Sequence, residues 1–89
     1  MNSKKDIYAL YIDVPNEKSL EEKDLKSSIE NLLETCQVMQ IREVSLNENE
    51  KTNNFKRYEI GLYYEIKNKE YFKNKLKNIG EINSINFLR

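Results

Sequence analysis

The sequence contains no histidine. That absence removes the usual general base of serine- and cysteine-based nucleophilic catalysis, and every histidine-containing metal site. A single cysteine, Cys36, excludes an internal disulfide and suits a reducing compartment. Gly61 and Gly80 are the only glycines, too few for the loops that cradle phosphates in Walker or dinucleotide sites. No run of about 18 apolar residues occurs, so no segment reads as a membrane-spanning helix. The opening MNSKKDIYALYIDVP lacks both the apolar core and the small-residue cleavage site of a signal peptide. Net charge is absent as well: 15 Lys and Arg balance 15 Asp and Glu, leaving no long-range pull on nucleic acid.

The apolar residues that are present fall in ordered patterns, which argues against disorder. The 89 residues read as one domain, 1–89, near the small end of what folds without staples. Residues 6–14, DIYALYIDV, are β-branched and aromatic and alternate as a strand. Tyr8, Leu10, Ile12 and Val14 share one face; Ile7, Ala9, Tyr11 and Asp13 share the other. A helix of about 18 residues is expected next. Ser19 and Glu22 have capping-box spacing, and Leu25, Ile29, Leu32, Leu33 and Cys36 form its apolar stripe. A weaker strand follows around MQIREVSLNE, in which Val44 and Leu46 alternate with Glu43 and Ser45, and then a polar, mobile connector at 47–54. RYEIGLYYEI is a strand with Tyr58, Ile60, Leu62, Tyr64 and Ile66 on one face and Arg57, Glu59, Gly61, Tyr63 and Glu65 on the other. Asn68 caps a second helix whose stripe is Phe72, Leu76 and Ile79, and Gly80 is placed as its C′ residue. A short strand with Ile85 and Phe87 as its core pair closes the chain.

The order β-α-β-β-α-β, with one apolar stripe per helix, predicts an α+β ferredoxin-like sandwich: a four-stranded antiparallel sheet with both helices on one face. The first and third strands would be central. Ala9, Tyr11, Gly61 and Tyr63 should then cluster on the uncovered face, with Ile7, Phe55 and Leu88 extending the patch. A contiguous patch of this kind points to a contact surface. Tyrosines on a half-solvated strand also serve as plain strand formers, so both readings stand.

No catalytic, cofactor or metal residues are assigned. The stripe position of Cys36 predicts a buried structural thiol. The first-turn acids Glu21, Glu22 and Asp24 suit capping, and Glu48 and Glu50 are too few for a calcium loop. Stacking of single-stranded RNA on Tyr11 and Tyr63 is a lesser alternative, opposed by Glu59 and Glu65 on the same face. Lys69, Lys73 and Lys77 recur every four residues on the second helix, as a solvated face or a contact for anions.

The closing pattern Leu76, Ile79, Gly80, then Ile82, Ile85 and Phe87 resembles the finish of ACT-like domains, where a helix ends at a glycine before a short alternating strand. It is similar to the soluble C-terminal domain of MgtC/SapB-type bacterial membrane proteins. The resemblance implies a regulatory or assembly domain that pairs with itself, on the cytoplasmic side, with any membrane attachment through a region preceding residue 1. Amino-acid-binding ACT domains carry a glycine after the first strand; Asn16, Glu17, Lys18 and Ser19 stand there instead, so no ligand residues are carried over. The expectation is a non-catalytic, self-associating interaction domain, a homo-oligomer without nucleic acid or cofactor. A small-molecule sensor with ligand at a domain junction is the alternative.

Overall fold

The structure is a computed structural model that describes residues 4–50 and 54–88. Strand β1 (Asp6–Pro15) leads through a single 3₁₀ turn (Asn16–Lys18) to α1 (Glu22–Leu32). Then come β2 (Gln37–Val44), β3 (Phe55–Tyr64), α2 (Lys69–Leu76) and β4 (Glu81–Phe87). The strands form one antiparallel sheet in the order β2-β3-β1-β4, so β1 and β3 are central as the pattern requires. The fold is the expected α+β ferredoxin-like sandwich.

Alternation along the central strands sorts the two faces. Leu10, Ile12 and Val14 of β1 and Tyr58, Ile60 and Leu62 of β3 are buried. They share one core with Leu25, Ile29 and Leu33 from α1 and its end, and with Phe72, Leu76 and Ile79 from α2 and its end. Both helices therefore cover the same side. Tyr64 and Ile66 pack against this core half-buried. Burying apolar area at about 25 cal/mol per Å² is the main force holding the layers together.

Several boundaries differ from expectation, each for a local reason. Helix α1 begins at Glu22, not at Ser19. Ser19 sits at φ 52°, its N–H bonded to the Asn16 carbonyl, and closes the preceding turn. Glu21 is the N-cap, and Asp24 reaches back to accept the Glu21 N–H at 3.3 Å. The helix spans 11 residues because Leu33 turns to extended backbone and Thr35 to φ 65°. Leu32 consequently lies 40% exposed, and Cys36 stands in the connection to β2, half-buried against the core rather than on a helical stripe.

Strand β2 buries Val38 and half-buries Ile41, whereas Val44 pairs with Arg57 on the other face. A bulge between Val38 and Gln40 inserts Met39 and flips the alternation beyond it. A second irregularity, between Tyr11 and Ile12 of β1, places Ile82 opposite Ile12 and Ile85 opposite Leu10 on the core side. The core residue of β4 is therefore Ile82, at 8% exposure. Phe87, expected in the core, is 64% exposed, its ring edge-on to Tyr8 at 5.8 Å beyond the reach of the helices.

Asn68 caps α2 as predicted, its side-chain oxygen accepting the Tyr71 N–H at 2.9 Å. Gly80 does not take the left-handed conformation expected of a C′ glycine. Its N–H bonds to the Leu76 carbonyl at 3.1 Å while its α-carbon lies hard against β1. In the polar connector, Asn47 and Glu50 close a turn, with the Glu50 N–H donating to the Asn47 carbonyl at 3.1 Å. Residues 51–53, on which part of the expected connector mobility falls, lie outside the described residues.

Candidate functional site

The uncovered face is ordered by the β1–β3 register. Ala9 stands opposite Gly61, Ile7 opposite Tyr63, and Tyr11 opposite Glu59. The two smallest side chains thus form a flat centre, with Tyr63 on one side along the strands and Tyr11 on the other. Tyr63 is 38% exposed, and the Lys5 ammonium lies 5.4 Å from its ring centroid. Leu88, 58% exposed, donates its N–H to the Ile7 carbonyl at 2.8 Å and continues the apolar end of the patch. Phe55 does not extend it. It pairs with Pro15 at the far end of the sheet, beyond the Tyr11–Glu59 and Asp13–Arg57 pairs.

Those two pairs were not legible in the sequence. The Tyr11 hydroxyl donates to Glu59 Oε2 at 2.6 Å, and Arg42 Nε donates to Glu59 Oε1 at 2.6 Å, linking β1, β3 and β2 in a row. Further along, Arg57 forks onto Asp13 with bonds of 2.7 and 3.1 Å, and its remaining amine meets Glu50 Oε2 at 2.8 Å. Bidentate geometry makes this guanidinium–carboxylate contact the stronger of the two arrangements. Opposite charges on different strands become neighbours only once register is set, so composition and spacing carried no signal for either. Glu59, expected to repel phosphate, is instead committed to two donors.

The ionisation of these groups follows from the contacts. The Tyr11 hydroxyl, and then Arg42, hold the Glu59 carboxyl below its ordinary value. The same bond, together with burial and the Glu59 charge, raises Tyr11 above the usual tyrosine range. Since the folded carboxyl value is depressed, the bond's contribution is complete above the ordinary carboxyl value of 4.5 and is lost as pH falls through the folded value. Since the folded phenol value is raised, that contribution is complete below 10.0 and is lost as pH rises through the folded value. Tyr11→Phe should move the Glu59 carboxyl back up toward its ordinary value in a carbon-detected NMR titration. An unmoved titration would show that the hydroxyl does not act on it.

The Cys36 thiol is pushed up to about 11, by burial first and by the nearby Glu30 charge second. At neutral pH it is a protonated thiol, the poorly nucleophilic form. Among the described residues no group of three or more Cys, Asp and Glu side chains converges in a metal-binding arrangement. Among the same residues no helix is long and apolar enough to cross a membrane.

The sequence-predicted residues Ala9, Tyr11, Gly61 and Tyr63 therefore do share one uncovered face, with charged pairs at the Tyr11 end. Comparison of the chain with protein-family models, with curated proteins and with solved structures gives no match.

Proposed function

We propose that this chain is a non-catalytic interaction domain that pairs with a second copy through the uncovered sheet face centred on Ala9 and Gly61. The observation that carries the reading is the room left at Gly61. A β-carbon there would meet only Gln40, at 3.8 Å, an ordinary contact. Glycine inside a strand costs about 0.5–1 kcal/mol relative to alanine, and nothing in this chain's own packing or backbone angles requires it here. A glycine that the fold does not need, on a flat uncovered face, suits close approach by another surface.

The charges on the face favour a second copy as that surface. Two-fold pairing sets a face against itself, so a face of one sign would repel its partner. Here Arg42 is matched by Glu59, and Arg57 by Asp13 and Glu50, within the chain. Covering such a face leaves fewer unpaired charges than covering an unpaired one. The regulatory role and cytoplasmic setting implied by the ACT-like resemblance are part of the proposal, carried by the closing pattern at residues 76–87.

Sedimentation across micromolar to millimolar concentration tests the pairing. The wild-type chain should dimerise, and Tyr63→Glu should sediment as a monomer with an unchanged far-UV spectrum. Gly61→Ala should stabilise the monomer fold by about 0.5–1 kcal/mol in urea, while Gly61→Val weakens the dimer. A wild-type monomer throughout, or a dimer indifferent to both Tyr63→Glu and Gly61→Val, removes this face from the assignment.

A further inference from the structure

At the end of the sheet remote from Tyr63, a cleft of about 660 Å³ opens between the 3₁₀ turn after β1, the last turn of α2 and the start of β4. Its size lies in the range of small-molecule sites. Lys18 enters it from the turn, and Lys73 and Lys77 from successive turns of the α2 segment. Asn54 and Asn74 belong to the same wall, and Ile79 and Ile82 add apolar lining.

The charge balance in this cleft is unlike that of the chain as a whole. Among the described residues none of the three lysines has a carboxylate within salt-bridge distance. Of the two carboxylate residues lining the cleft, Asp13 is already clamped by Arg57, which leaves Glu81. Lys73 and Lys77 are also four apart, a spacing at which like charges weaken a helix. A solvated face would need no concavity and no second element; these cations come from two elements separated by more than fifty residues. Lysine ammonium groups of this kind act as point charges for phosphate oxygens.

We infer that the cleft walled by Lys18, Lys73 and Lys77 is a binding site for a phosphate-bearing small molecule, its anionic groups on the lysines and the amides of Asn54 and Asn74. The site lies at the far end of the sheet from Tyr63, borders the uncovered face at Asp13, and does not require pairing. Inorganic pyrophosphate and ATP, each at millimolar concentration against sodium chloride of equal ionic strength, are the probes, with adenosine as the uncharged control.

Both anions should raise Tm by several degrees, and adenosine should not. Amide resonances of Asn74, Gly80 and Ile82 should shift together in the titration. The response should vanish in Lys73→Gln/Lys77→Gln and persist in Lys67→Gln/Lys69→Gln, whose substitutions lie outside the cleft. It should persist equally in Tyr63→Glu, which separates this site from the pairing face. A response to pyrophosphate and ATP alike marks the phosphates as the recognised group; a response to ATP alone adds the nucleoside. No thermal or spectral response, or an equal loss in both lysine variants, overturns the assignment, the latter by showing diffuse electrostatics.

Discussion

Replacing Phe72 by alanine is expected to cost about 3–5 kcal/mol, the range for deleting a buried aromatic ring. Phe72 is 2% exposed and its ring centroid lies 6.0 Å from that of Tyr64. Helix α2 has eight residues, well below the length at which an isolated helix holds in water. Lys69, Lys73 and Lys77 oppose it further. Its cap at Asn68 offsets about 1 kcal/mol of this. The helix therefore depends on the two side chains it buries, Phe72 and Leu76. Against a total stability of about 5–15 kcal/mol, the loss removes much of the margin. Urea unfolding should show the midpoint fall with an unchanged slope. Tyr71→Ala is the control: Tyr71 is 62% exposed, and its loss should stay within about 0.5 kcal/mol. Similar values for the two variants would show that α2 is not anchored through Phe72.

Gly80→Ala should cost about 3 kcal/mol, the upper end of what overpacking typically exacts. A β-carbon at Gly80 would fall well inside contact distance of the Asp13 carbonyl oxygen. It would also stand 3.0 Å from the Asp13 carbonyl carbon and 3.1 Å from Ile12 Cγ1. Two of those atoms are backbone in a central strand whose own ladder fixes them, so they cannot swing aside as a side-chain tip would. The backbone at Gly80 is not in the left-handed region, so the penalty is steric rather than conformational. That distinction is measurable. At a left-handed helix cap asparagine is tolerated better than alanine. At a close approach the larger asparagine is worse. Thermal unfolding of Gly80→Ala and Gly80→Asn should rank asparagine as the less stable; the reverse order would restore the capping role. The two glycines thus give opposite results, because Gly61 has room for a β-carbon and Gly80 has none.

How much of this was visible beforehand depended on where each residue sits in the sheet. The central strands β1 and β3 keep a regular register with each other over their full length. A period of two therefore sorted Leu10, Ile12, Val14, Tyr58, Ile60 and Leu62 to the core without coordinates. The edge strands each contain an irregularity in their pairing, and one displaced residue moves every later side chain to the opposite face. Phe87 was misread for another reason: it keeps the core-side register opposite Tyr8 but lies past the helices, 64% exposed. Gly80 looked like a cap because sequence shows that a glycine follows a helix, not what lies across from it.

Alternation, helical stripes and the order of elements, all written locally in the chain, determined the fold class, the covered face and the gathering of Ala9, Tyr11, Gly61 and Tyr63 on the bare one. Only the tertiary structure decided that Glu59 joins Tyr11 to Arg42, that Arg57 joins Asp13 to Glu50, and that Lys18, Lys73 and Lys77 line one cleft. The Tyr11–Glu59, Arg42–Glu59 and Asp13–Arg57 contacts join different strands, and Lys18 reaches the cleft from a turn far from α2 in sequence. Their distances are set by strand register and by where a helix ends over the sheet, and neither is encoded in the spacing of the residues themselves.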